Sequence, residues 1–225
     1  MPDATASTRP LAVLFDLDGT LVDTIDLLLD SVRHAFRDRT ERVPTEAEWI
    51  AGIGTPLASQ LRPFAADDAD LALLVAGYRE YQREHHDRMT RCYDRAVEVV
   101  SALRGRGHPT GVVTSKTDEI ARRSLAHVGL LPLMDVVVAA DATARHKPDP
   151  EPVRLALARL GYPPASAIFL GDSPHDVHAG NAAGVTTVAA LWGPFSRDVL
   201  EQAGPTYYLD QIAALPGLVE RIQGK

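Results

Sequence analysis

Five short apolar runs constrain this chain more than any other feature. Leu11–Phe15, Gly111–Thr114, Asp135–Val138, Ala167–Gly171 and Val185–Val188 are each the length of a strand. Their apolar residues follow one another without the polar alternation of a half-solvated strand. Continuous apolarity suits strands covered on both faces, the usual state of a parallel sheet. Helical spacing fills most of the intervals, as in Ala96–Arg104, where Val99, Val100 and Leu103 share a face. Glu119–Val128 and Glu151–Leu160 read the same way. Pro148, Pro150 and Pro152 gather where the last of these begins, a place that tolerates proline. Asp176–Ala183 runs into Gly184, a suitable C-cap. Strand and helix in alternation predict an α/β fold built on a doubly wound parallel sheet.

Residues 24–94 break that rhythm and show no convincing strand. Ile25–Arg37 has helical spacing in Leu28, Leu29, Val32 and Phe36. Thr45 and Glu48 have the spacing of a capping box. Leu71–Tyr81 continues as a long helix into Arg83–Arg88. The chain is therefore expected to carry an all-helical insert after its first strand. Residues 1–9 are expected to form a loose tail.

Several function classes are excluded at this stage. No apolar run nears the roughly 18 residues of a membrane span. The net charge of -7 gives no support to nucleic-acid binding, which favours a basic surface. A lone cysteine, Cys92, rules out an internal disulfide and a cysteine-rich zinc site. Met1–Ala4 lacks the basic and then apolar pattern of a secretory leader, so a cytoplasmic location is expected. Nothing in the sequence asks for more than a monomer.

The strand ends carry the chemistry, because ligands of open parallel sheets bind there. The first strand ends in Asp16 and Asp18, the second in Thr114, Ser115 and Lys116, and the fourth in Gly171-Asp172-Ser173 with Asp176 a turn later. The third leads through a loop to Lys147. Lys116 and Lys147 are notable because 20 of the 23 basic residues are Arg, so a retained Lys invites a local reason. Gathered in one cleft, the four Asp residues would repel one another by about 4 kcal/mol per pair at 4 Å and an effective dielectric near 20. Such a cluster needs a cation. Carboxylate oxygens without His or Cys suit a hard ion, Mg2+ first. A carboxylate beside Mg2+ and a lysine is placed to attack phosphorus, while a second carboxylate moves the proton.

These motifs resemble the haloacid dehalogenase (HAD) superfamily, specifically its phosphatases. The resemblance rests on Leu14-Phe15-Asp16-Leu17-Asp18-Gly19-Thr20-Leu21-Val22-Asp23, on Val113-Thr114-Ser115-Lys116, on Lys147-Pro148-Asp149-Pro150 and on Gly171-Asp172-Ser173-Pro174-His175-Asp176. It implies that Asp16 is the nucleophile and Asp18 the general acid and base. Asp16, Asp172 and the backbone carbonyl of Asp18 would hold Mg2+. Thr114 and Lys147 would hold the phosphoryl group, with Gly19, Thr20, Ser115 and Lys116 beside them and Gly54 reaching in from the insert. Asp176 would orient Lys147 or a metal-bound water. The insert, residues 23–94, would be a mobile cap over a core of residues 1–22 and 95–225. The implied substrate is a small phosphorylated metabolite, with inorganic pyrophosphate or a phosphosugar mutase reaction as alternatives. Thr20 leans away from the mutases, which usually carry a Val-type residue there.

The cap resembles the phosphoglycolate phosphatase and pyrophosphatase branch in Gly52-Ile53-Gly54-Thr55-Pro56 and in Tyr78-Arg79-Glu80-Tyr81 running to His85-His86-Asp87. Many relatives have Tyr-Pro-Gly at the second hinge, where this chain has Tyr93-Asp94-Arg95. His85 and His86 are adjacent and so do not share a helical face, which argues against one ion between them. His175 could meet substrate or solvent. Cys92 reads as a small packing residue.

Overall fold

The computed structural model describes residues 10–224, so the expected tail at residues 1–9 lies outside the described residues. Six strands make one sheet: β1 (Ala12–Phe15), β4 (Thr110–Val113), β5 (Val136–Val138), β6 (Ala167–Gly171), β7 (Thr186–Ala190) and β8 (Tyr207–Leu209). Their order is β5-β4-β1-β6-β7-β8, and every pairing is parallel. The first strand is central. The chain builds outward on one side through β4 and β5, then crosses to β6 on the other. That reversal opens a crevice at the carboxyl ends of β1, β4 and β6.

The apolar runs are continuous because each strand is covered twice. On one face Val13, Phe15, Val112, Ile168 and Leu170 pack with α5 (Ala96–Gly105), α6 (Asp118–His127) and α10 (Leu215–Gln223). On the other, Ala12, Leu14, Val113 and Phe169 pack with α7 (Glu151–Leu160) and α8 (Pro174–Ala183). Alternate residues of one strand thus serve two cores. A further helix, α9 (Arg197–Ala203), follows β7.

The insert is helical: α1 (Ile25–Ala35), α2 (Glu46–Gly52), α3 (Leu57–Leu61) and α4 (Asp68–Met89). The capping box at α2 is present in full, with Thr45 and Glu48 each satisfying the other's backbone N–H. α1 packs along α4, and Leu28, Val32, Phe36, Trp49, Leu74 and Tyr78 form a core that continues into Ala189, Phe195 and Leu200 of the sheet layer. One expectation is corrected here. A strand does occur within residues 24–94: β3 (Arg91–Cys92) pairs antiparallel with β2 (Val22–Asp23). Two residues are too few to carry a period. This ribbon is the neck through which the chain leaves the sheet and returns. Arg95, just beyond it, has φ 62°, the left-handed conformation that glycine adopts freely.

β4 can approach its neighbours because Gly111 has no side chain. A Cβ there would stand 2.3 Å from Val136 Cγ1 and 3.1 Å from the Val136 carbonyl oxygen. Gly111→Ala is therefore expected to destabilise the protein by about 1–3 kcal/mol through overpacking. A urea titration with a lower midpoint at an unchanged slope is the expected result; an unchanged midpoint would contradict the tight packing.

Candidate active site

The backbone N–H of Asp16 donates to the Leu170 carbonyl at 2.9 Å, which fixes the end of β1 against β6. Asp16 is 4% exposed, and its Oδ1 accepts from Lys147 Nζ at 2.7 Å. The same ammonium donates to Asp176 Oδ1 at 2.6 Å. Asp176 Oδ2 accepts from the backbone and hydroxyl of Ser173, at 3.0 and 2.6 Å. Asp176 thus does two tasks: it holds Lys147 and closes the N-terminus of α8, whose N-cap is Ser173.

Asp172 sits at the end of β6, 1% exposed. Thr20 Oγ1 donates to its Oδ1 at 2.6 Å, while the buried Oδ2 has no hydrogen-bond partner among the described residues. Two glycines permit this placement. A Cβ on Gly19, whose φ is 78°, would lie 2.4 Å from Asp172 Oδ2, and one on Gly193 would lie 2.4 Å from Asp172 Cβ. Neither Gly193 nor Trp192, whose indole donates to the Thr20 carbonyl at 3.1 Å, was read from the sequence as part of the site. Their loop follows β7 and meets Thr20 across most of the chain, so no local motif marks them.

Burial governs the charges. It pushes Asp16 up to about 7 against the pull of Lys147, with Asp176 and Asp18 raising it further. Burial also drives Asp172 well above the ordinary carboxylate range, with Asp16 and Asp176 adding to the shift. For Lys147 burial works downward, but the Asp16 and Asp176 carboxylates override it and hold the ammonium above its usual range. With all its carboxylates ionised the set would carry more negative charge than one lysine balances, and the upward shifts express that cost. Asp16, Asp172 and Asp176 each place an oxygen within 4.8 Å of the others, and with the orphaned Oδ2 of Asp172 this fits a divalent metal. Asp18 is not in that side-chain set. Its Oδ1 accepts from Thr24 Oγ1 and Lys116 Nζ.

Thr114, 5% exposed, follows β4, and its hydroxyl accepts from the Lys116 N–H at 3.2 Å. Ser115 Oγ donates to the Gly54 carbonyl of the insert at 2.5 Å. Gly54 has φ 102°, and a Cβ there would lie 2.7 Å from Ser173 Oγ, so the insert's loop rests on the start of α8. His175 Nε2 is 3.4 Å from the Ala51 carbonyl, at that same junction. Between insert and sheet lies a cleft of about 600 Å³, lined by Asp16, Asp18, Gly54, Thr114, Ser115 and Lys116 among others. His85 and His86 are not in its lining. His86 is buried between α4 and α6, within 2.8 Å of Ser124 Oγ and 2.7 Å of Asp87 Oδ1. Cys92 is half-buried and donates to the Leu21 carbonyl at 3.6 Å.

Residues 13–190 match the family model of haloacid dehalogenase-like hydrolases. The chain belongs to this family, and it is a HAD-type phosphatase. Among similar proteins is pyrophosphatase PpaX of Bacillus velezensis, 35% identical over 92% of this chain and 95% of its own length. Pyrophosphatase PpaX of Halalkalibacterium halodurans is 34% identical over 92% and 95%. The fold matches a crystal structure described as a "predicted phosphoglycolate phosphatase" from Haemophilus somnus, with TM-score 0.86, 23% identity and coverage of 95% of this chain and 99% of that one. No helix among the described residues is long and apolar enough to cross a membrane.

The raised carboxylates set a pH dependence. A protonated Asp16 favours the folded metal-free protein, so its contribution to stability is lost as pH rises from the unfolded value of 3.8 through about 7. A divalent cation needs the ionised form and competes with that proton. The rise in Tm produced by a divalent cation is therefore expected to be larger at pH 7.5 than at pH 5.5. Asp172→Asn should abolish it. A thermal-shift series with equal increments at both pH values would contradict the assignment.

Proposed function

We propose that this protein is a Mg2+-dependent phosphatase that hydrolyses a small phosphate monoester through an aspartyl-phosphate on Asp16. The observation that carries this reading is the buried Lys147 ammonium shared between Asp16 and Asp176, at 2.7 and 2.6 Å, at the mouth of the sheet. A carboxylate so neutralised can approach an anionic phosphate that would otherwise repel it.

In the first step an Asp16 oxygen attacks phosphorus. The bond from phosphorus to the leaving oxygen breaks, its electron pair departs with that oxygen, and Asp18 supplies the proton. In the second step Asp18, now ionised, takes a proton from water. The water oxygen bonds to phosphorus, the Asp16–phosphorus bond breaks, and orthophosphate leaves with Asp16 restored. Thr24 and Lys116 both hold Oδ1 of Asp18, which leaves Oδ2 to carry the proton. Lys147 and Thr114 hold the transferred phosphoryl oxygens, with the Gly19–Thr20 and Ser115–Lys116 segments beside them. Asp16, Asp172 and the Asp18 carbonyl would hold Mg2+, which supplies charge neutralisation for the phosphoryl oxygens. Residues 23–94 act as a cap that excludes water from the core of residues 1–22 and 95–225.

Inorganic pyrophosphate is a second reading, supported by the relatives named pyrophosphatase at 34–35% identity. There the leaving group is orthophosphate, and the same steps apply.

Phosphate release should be measured with Mg2+ across phosphoglycolate, hexose and pentose phosphates, nucleoside monophosphates and pyrophosphate. Asp16→Asn should reduce every rate to background while circular dichroism stays native. EDTA should abolish turnover and Mg2+ restore it. Turnover that survives Asp16→Asn would refute the nucleophile assignment.

A further inference from the structure

Two arginines of the insert face the cleft without partners. Arg79 and Arg83 are one helical turn apart on α4, so they share a face of it. Both line the cleft that contains Asp16 and Asp18. Among the described residues neither guanidinium has a carboxylate or another acceptor in reach. Several other arginines of the insert are paired, Arg33 with Asp30 and Glu46, Arg39 with Asp70, and Arg62 with Asp68, and neither Arg42 nor Arg91, which have no ion pair among the described residues, lines this cleft. Like charges at this spacing repel, so the pair is disfavoured until something negative arrives.

The remaining charges of the cleft do not supply it. Lys116 is held by Asp18. Arg123, on α6 across the cleft, pairs with Asp87 at 3.0 Å and donates to the Arg83 carbonyl at 3.4 Å. It therefore ties that turn of α4 to the sheet layer without neutralising either arginine. Asp141 accepts from the Asp118 N–H, and Glu119 is exposed at the first turn of α6, on the opposite wall. Each arginine is preceded in the chain by a buried residue that lines the same cleft, Tyr78 and Gln82, with Gln82 Nε2 3.4 Å from the Tyr78 hydroxyl.

We propose that Arg79 and Arg83 bind a second anionic group, carried by the leaving group of the substrate. This rests on the phosphatase reading above. The transferred phosphoryl group belongs with Lys147 and Thr114 on the sheet side, so a cation pair on the insert meets what departs. Two chemistries supply such an anion: a second phosphoryl group, or a carboxylate on a carbon body. A cleft of about 600 Å³ admits either.

The test compares kcat/KM with Mg2+ for four probes. Pyrophosphate and 2-phosphoglycolate have anionic leaving groups; ethyl phosphate and phenyl phosphate have neutral ones. The wild type should prefer at least one anionic probe over ethyl phosphate by about tenfold or more, on the order of one charge-assisted hydrogen bond. Arg79→Gln and Arg83→Gln should each lower that preference by about tenfold, chiefly through KM, and Arg79→Lys should recover part of it. Arg221→Gln, at an exposed position of α10, should leave the preference unchanged. The preference is a ratio within one variant, so partial loss of folded protein cancels. Added salt should lower it as well. Whichever anionic probe is favoured identifies the phosphoryl or carboxylate source. A wild type indifferent to leaving-group charge, or a preference that survives both Gln variants, overturns the inference and leaves the aspartyl-phosphate chemistry standing. Failure to hydrolyse any probe, in place of this, overturns that chemistry and the inference with it.

Discussion

Lys147 lies between Asp16 and Asp176 with its side chain and both carboxylates nearly closed to water. A buried charge is tolerated only where opposite charge and hydrogen bonds replace the lost solvent. Here one ammonium meets two carboxylates, and a third, Asp172, stands near them with an unpartnered oxygen. Removing the lysine would leave a knot of like charges in a low-dielectric site. The loop before α7, the turn after β1 and the start of α8 must all be held in register to keep the triad together. Much of the surrounding architecture serves that register.

The sheet supplies the register and glycine supplies the room. Pairing of β1 with β4 and β6 brings Asp16, Thr114 and Asp172 to one edge, whatever their separation in the chain. Carboxylates then need to approach backbone more closely than a Cβ allows. Gly171 meets this need beneath Asp176, where a Cβ would fall 2.3 Å from the Asp176 Cβ. Gly19 and Gly193 meet it on either side of Asp172. These positions are constrained by the site's density of charge rather than by turn geometry alone.

The sheet was readable from sequence because its strands are covered on both faces, which writes burial as an unbroken apolar run. Ala167–Gly171 and Glu151–Leu160 coincide with the elements observed. β8 escaped because Tyr207–Leu209 is short and only partly buried. The neck escaped for its brevity. Within the site, groups placed at strand ends could be read as potential ligands for phosphate and metal. Contacts made by folding could not. Asp176 is expected to orient Lys147 or a metal-bound water, and one of its oxygens does hold Lys147 while the other closes the N-terminus of α8. Lys116 stood out as a retained lysine, yet its engagement with Asp18 depends on how β4 lies beside β1. The pairing of Arg123 with Asp87 joins two helices whose meeting no local pattern announces.

The hydrogen bond from Ser115 Oγ to the Gly54 carbonyl has a consequence for how opening and occupancy relate. Ser115 follows Thr114 at the end of β4, on the lining of the cleft, while Gly54 belongs to a loop of the insert. One side chain therefore lines the cleft and holds the insert at once. Were the insert to have a second position in which this contact is broken, a ligand that favours the contact would favour the present position by the same free energy. Conversely, holding the insert in that position would raise affinity by the same factor. Reciprocity of this kind would make ligand binding in the cleft a property of both layers, shared by this hydroxyl with the other contacts that join them, such as His175 with the Ala51 carbonyl.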